Sequence, residues 1–204
     1  RRYQVGVFRD IRDRKRNQRA LHEERQRLQS LLDAVQAGTW EWNVQTGELR
    51  VNGRWGEIIG YRLDELMGVT IATWDRLVHP EDYLVSARLL SDHFAGQLER
   101  YECELRMLHK NGDWVWIRDL GRVISWDAGG KPVWMAGIHL DITAQKTHQQ
   151  QLDFVANHDV LTRLPNRTLL TDRLEVAMAE CRRARRKLAV AYIDLDGFAR
   201  INET

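Results

Sequence analysis

The stretch Gly137-Ile-His-Leu-Asp-Ile-Thr143 ends an apolar, strand-like run and passes straight into Ala-Gln-Lys-Thr-His-Gln-Gln, a polar segment of helix formers. Much the same hand-off stands at Gly6-Val-Phe-Arg-Asp-Ile-Arg12. Gly6, Asp10, Ile11 and Lys15 fall on Gly137, Asp141, Ile142 and Lys146 at one constant offset, and a helical pattern follows both. A chain that finishes a strand and starts a helix twice, a domain's length apart, reads as tandem domains rather than a solenoid. One domain is expected to end near residue 12 and a second of the same kind near 143.

The 204 residues allow one or two domains, and 43% apolar residues allow a core. A formal charge of +2 is too small to argue for a nucleic-acid or membrane partner. Cys103 and Cys181 match no disulfide or metal spacing, so the expected compartment is a reducing cytoplasm. No apolar run is long enough to span a bilayer, and no direct membrane contact is expected of this segment. Both ends read as cuts through larger domains, so the parent could still be membrane-tethered elsewhere.

Residues 1–12 read as a last strand, Tyr3–Phe8. From Arg14 to Val35 there is no Gly or Pro, and Leu21, Leu28, Leu31, Leu32 and Val35 form a seam near heptad spacing. The pattern predicts a linker helix over 13–36, with a dimeric coiled coil and a helix packed on its own domain as the two readings. Thr39–Val44 and Glu48–Asn52 alternate at period two around Gln45-Thr-Gly47, a hairpin. Short helices follow, with Trp55, Ile58 and Ile59 on one face and Leu63, Leu66 and Met67 on another. His79-Pro80-Glu81-Asp82 opens a longer helix striped by Leu84, Leu89, Leu90 and Phe94. Three strands then turn at Asn111-Gly112 and Gly129–Pro132, and in the first of them Tyr101, Cys103, Leu105 and Met107 face one way. The expected fold is α+β: a five-stranded antiparallel sheet with helices on one face and the other face free for a partner.

Thr39-Trp-Glu-Trp, Gly60-Tyr61, His79-Pro-Glu-Asp82, Lys110-Asn-Gly-Asp-Trp-Val-Trp116 and Gly137–Thr143 together resemble a PAS sensor domain over 37–143. Residues 1–12 resemble the end of a preceding PAS domain, with Arg12 in place of the closing Thr. The resemblance implies that Asp141 and Thr143, and Asp10 at the earlier junction, couple the last strand to the exit helix. Flavin members carry an adduct-forming Cys on a mid-domain helix, whereas Cys103 falls in a predicted strand. Haem members need an axial His on the central helices. Here His79 reads as a cap, and His93 stands among polar neighbours. The expectation is an empty core acting as dimeriser and relay, with a small unidentified ligand as the alternative.

A second linker helix is predicted over 144–157. His158-Asp-Val-Leu-Thr-Arg-Leu-Pro-Asn-Arg167 then resembles the opening signature of GGDEF diguanylate cyclase domains, with Arg163 where that family has Gly. A helix over Thr168–Arg185 and a strand over Leu188–Ile193 are expected to follow, so that 158–204 forms an N-terminal α/β stub. The resemblance implies Asp194 and the Leu195 carbonyl as metal ligands, Phe198 and Asn202 at guanine, and Mg²⁺ and GTP for the complete parent. Joining two GTP molecules asks for such a carboxylate at a strand end, because the cation must neutralise triphosphate charge. Ala199 stands where a phosphate-contacting Lys is usual. The Gly-Gly-Asp/Glu-Glu-Phe loop is not among the 204 residues, so the chain as given is expected to make no cyclic-di-GMP. A parent with a degenerate, non-catalytic GGDEF domain, or one governing an EAL phosphodiesterase, is the second reading. The basic run Arg182–Lys187 reads as a solvated helix end rather than a nucleic-acid site.

Overall fold

The computed structural model describes residues 12–66 and 68–193. The Gly6–Asp10 junction with Tyr3–Phe8, Met67, and the whole Asp194–Asn202 site lie outside the described residues. The chain divides into one unit ending at Lys146 and another beginning at Thr147.

In the first unit, helix α1 (Arg12–Ala34) is built from helix formers, and Leu21, Leu28, Leu31 and Val35 all stay exposed. Strands β1 (Gly38–Asn43) and β2 (Leu49–Val51) pair antiparallel, with Trp42 opposite Leu49. The Asn43 Oδ1 accepts from the N–H groups of Gln45 and Thr46, which fixes the turn between them. Asn52 caps α2 (Gly53–Ile58) by accepting from Trp55 N–H at 3.0 Å, and the same oxygen accepts from Thr39 in β1. A 3-10 turn (Leu63–Leu66), α3 (Ile71–Leu77) and α4 (Pro80–Phe94) complete the helical layer.

As expected, His79 is a cap: its Nδ1 accepts from Glu81 N–H, and Pro80 takes the first helical position. Asp82, in the first turn of α4, is held by Arg106 of the opposite strand through two side-chain bonds and one backbone bond, each 2.8 Å. The Arg106 guanidinium therefore keeps the Asp82 carboxyl below its ordinary range against the opposing effect of burial. A carboxylate lowered in the folded state adds stability above its unfolded pKa of about 4 and loses it as pH falls. Asp82→Asn is expected to cost about 1–2 kcal/mol in urea unfolding at pH 7, between an exposed and a buried pair. The gap to the parent sequence should close as pH drops below about 4. A gap unchanged down to pH 2 would assign the effect to something other than the ion pair.

Strands β3 (Tyr101–Leu108), β4 (Trp114–Trp126) and β5 (Pro132–Asp141) form the antiparallel meander, and the sheet order is β2-β1-β5-β4-β3. Tyr101, Cys103, Leu105 and Met107 alternate inward and pack with Trp55, Ile59, Ile117 and Met135. Each such side chain contributes about 1.5–3 kcal/mol through burial. The stripe expected on α4 is only partly right. Leu89, Leu90 and Phe94 touch the core, but Leu84 is exposed and the buried positions are Ser86 and His93. Polar groups can sit there because each finds a partner. Ser86 Oγ meets the Tyr101 hydroxyl at 2.8 Å, and His93 bridges the Leu98 carbonyl and the Val123 N–H.

Helix α5 (Thr143–Asn157) leaves the sheet, and α6 (Arg167–Ala184) is capped by the Asn166 side chain, which accepts from Leu169 N–H. No residue from 147 to 193 is buried. The predicted strand Leu188–Ile193 does not form: the segment is irregular, with Tyr192 and Ile193 almost fully exposed. A lone strand has no ladder to join, and one helix cannot cover its apolar face.

Candidate functional site

The inner face of the sheet borders a small cavity of about 40 Å³ lined chiefly by Trp40, Trp42, Trp55, Trp74, Asp119 and His139. Its walls follow from cross-strand register. Trp40 faces Gly137, Gly137 faces Gly121, and Asp119 faces His139. With no side chain on either glycine, the Trp40 ring sits over both, where a Cβ on Gly121 or Gly137 would collide with it. Asp119 Oδ1 accepts from Trp40 Nε1 at 2.9 Å and lies 3.2 Å from His139 Nε2, all of it buried. Burial pushes the Tyr101 phenol up, and it pushes the Cys103 thiol up to about 11, with the Asp119 charge adding to both. Cys103 thus stands on β3, as predicted, and is held protonated and unreactive at neutral pH. The nitrogens of His93 are both engaged by backbone, so the ring is a brace between α4 and β4.

Among the described residues, His79, Glu81 and Asp82 are close enough together to hold a metal ion. Arg106 already binds both carboxylates, so the group is satisfied without one. The ligand pair expected from sequence, Asp194 and Leu195, lies outside the described residues, as do Phe198, Asn202 and Asp10.

The other two predicted residues, Asp141 and Thr143, meet at the exit of the sheet. Asp141 Oδ1 accepts from Thr143 N–H at 2.8 Å, Thr143 Oγ1 accepts from Trp116 N–H at 3.0 Å, and Ile142 N–H donates to the Trp116 carbonyl. The start of α5 is thereby stitched to β4. Lys146, one turn on, pairs with Glu104 at 2.6 Å and lies over the Trp116 ring, whose surroundings also include Arg106. Glu104, Trp116 and Lys146 were not singled out from sequence. Alternation along β3 does set Glu104 and Arg106 on the outward face, and Lys146 stands in the repeat, but no sequence signal joins them to Trp116.

In the second unit, the segment His158–Arg167 folds into a compact turn. Asp159 Oδ1 accepts from the Thr162 N–H and hydroxyl, and Asn166 Nδ2 donates to the Ala156 carbonyl. Those bonds to Thr162 hold the Asp159 carboxyl below its ordinary range. Arg163 adopts φ 59° in the left-handed region that favours Gly. The turn that a Gly would make is therefore kept, with about 1–2 kcal/mol of local strain from the Cβ.

A five-stranded antiparallel sheet, closed on one face by short helices around a cavity and running from its last strand into an exit helix, defines a signalling module. Residues 48–139 match the PAS fold family, and residues 156–204 match the diguanylate cyclase GGDEF domain. The chain thus carries a PAS-fold region followed by a GGDEF region. It is 28% identical over 205 residues to the uncharacterized protein y4lL of Sinorhizobium fredii, covering 97% of this chain and 24% of that protein. It is 50% identical over 54 residues to the bifunctional diguanylate cyclase/cyclic di-GMP phosphodiesterase MucR of Pseudomonas aeruginosa, covering 26% of this chain and 8% of that one. A sensory box histidine kinase/response regulator structure from Burkholderia thailandensis superposes with a TM-score of 0.54 at 26% identity, over 77% of this chain and 98% of the other. The chain thus spans a quarter or less of the length of these two relatives. The GGDEF family uses GTP and depends on a metal. No helix among the described residues is long and apolar enough to cross a membrane.

Proposed function

We propose that this chain is the regulatory part of a bacterial, cytoplasmic signalling protein whose output is the synthesis of cyclic-di-GMP from GTP with Mg²⁺. In this reading 1–12 ends a preceding PAS domain, 13–36 and 144–157 are linker helices, 37–143 is the sensor, and 158–204 opens the GGDEF domain. The carrying observation is the stitched junction: Thr143 ties the first residue of α5 to β4, and the GGDEF match begins at residue 156, within that same helix. A strain in the sheet has a covalent, helical path to the output. Asp194 and the Leu195 carbonyl would hold the Mg²⁺, while Phe198 and Asn202 would contact guanine. The cation supplies charge neutralisation and orientation of the phosphates. The exposed Leu21, Leu28 and Leu31 of α1 and the exposed Trp114, Ile124 and Trp126 of β4 support a homodimer that brings two GGDEF domains together.

Asp141→Ala and Thr143→Ala in the longer parent test the path. Each removes a cap or stitch worth about 1 kcal/mol, and allosteric couplings of about 1–3 kcal/mol correspond to roughly 5–150-fold. Basal cyclic-di-GMP synthesis is expected to shift about fivefold or more in either variant, with GTP binding to the output domain unchanged. Unchanged synthesis in both would place the path elsewhere. The second reading, a parent that lacks cyclase activity and governs a phosphodiesterase, draws on Ala199 in place of the phosphate-contacting Lys. A parent inert toward GTP but altering cyclic-di-GMP hydrolysis would favour it.

A further inference from the structure

Helix α5 is held to the sheet twice. Thr143 stitches its first residue to β4, and one turn on, the Lys146 ammonium meets Glu104 of β3 at 2.6 Å and lies 5.0 Å from the centre of the Trp116 ring. The second hold is specific. Arg118 stands directly opposite Glu104 across the β3–β4 ladder, yet it gives its bonds to Glu102, which leaves the Glu104 carboxylate to Lys146. The side chains of Lys146 and Glu104 are 32% and 39% exposed, so water and salt screen the pair less than two side chains in the open. The indole face adds its own attraction for the cation. The Arg106 guanidinium lies over the same ring, 5.5 Å from its centre, and binds Glu81 and Asp82 of α4. Trp116 is thus flanked by two cations, each with carboxylates of its own.

Two holds do what one cannot. A tether at Thr143 fixes where α5 starts and leaves its direction free, whereas a second tether about 4.5 Å along the axis fixes the direction. The far end of the helix, Asn157, lies roughly 21 Å along that axis from Thr143, so a displacement at Lys146 is multiplied about fivefold there. The sequence repeat carries the same residue: Lys15 follows Asp10 as Lys146 follows Asp141, although Arg12 replaces the Thr. We infer that Lys146 is a positioning residue for the output reaction, its ammonium seated on Glu104 and Trp116 to set the direction in which α5 leaves the sheet, an inference that rests on reading α5 as the path to the GGDEF domain.

The test reads direction and output separately. Spin labels are attached at Ala128→Cys, in the β4–β5 turn, and Gln151→Cys, on α5, in the 204-residue chain carrying Cys181→Ser, since Cys103 is buried. Pulsed electron paramagnetic resonance measures the distance between them. Lys146→Met, which keeps an apolar stem without the charge, and Glu104→Gln are each expected to widen the distance distribution by about 3 Å, for a slack of about 1 Å at residue 146. Lys146→Arg should keep the width of the unsubstituted chain. The Lys146→Met/Glu104→Gln pair should be no wider than either single variant, because both act through one contact. In the longer parent, Lys146→Met is expected to shift basal cyclic-di-GMP synthesis about fivefold, the upper end for an ion pair of this exposure. The KM for GTP should not change, and Lys146→Arg should keep the original rate. Unchanged widths in both single variants, additive widening in the double one, or widening with unchanged synthesis would each overturn the inference. A parent inert toward GTP would sink the functional reading, and the widths would still decide whether Lys146 aims α5.

Discussion

Gly137→Ala is expected to destabilise the sheet unit by about 3 kcal/mol or more, at the upper end of what overpacking costs. A Cβ at this position would run into the Leu120 carbonyl oxygen and the Trp40 ring. The carbonyl belongs to the β4–β5 ladder and cannot move without breaking it. The ring can move only by giving up its bond to Asp119. Gly121→Ala should cost less, because the atoms it meets belong to the Trp40 and Met135 side chains alone. Urea unfolding followed by far-UV and near-UV circular dichroism checks both. Costs within 0.5 kcal/mol of zero for the pair would mean that Trp40 is not wedged as described.

Asp119→Ala should have a comparable effect, about 3–5 kcal/mol, because it leaves the Trp40 indole N–H without its acceptor and His139 Nε2 without its partner in the core. For a domain of this size that corresponds to a fall in Tm of roughly 12 °C or more. Asp119→Asn keeps an acceptor oxygen at the same place and is expected to lose less than half as much. Should the Ala variant melt within a few degrees of the parent sequence, the pair would be a bystander.

Much of this architecture is written in local pattern. Period-two alternation in Tyr101–Met107 marked the inward face that the structure shows, and Asn111-Gly112 marked its turn. His79-Pro-Glu-Asp82 was legible as a helix start because capping and proline placement are local physics. The same local reasoning misplaced Leu84 on the buried stripe and missed Ser86 and His93. Apolar periodicity cannot see a polar residue whose partner, Tyr101 or Val123, lies on another element. The strand expected over Leu188–Ile193 rested on the GGDEF resemblance, and a strand exists only against a neighbour.

The Gly137–Thr143 hand-off shows where the two kinds of information divide. Sequence by itself determined that a strand ends and a helix begins there, that Asp141 and Thr143 stand at the boundary, and that a GGDEF signature follows. Those are matters of residue type and spacing along one chain. Only the tertiary structure decided that Gly137 is a seat for Trp40, that Asp119 and His139 face each other, and that Trp40, Trp42, Trp55 and Trp74 meet at one cavity. The physical reason is register: which side chains meet across a sheet depends on how strands far apart in sequence are paired, and a shift of one residue would send every one of them to the other face.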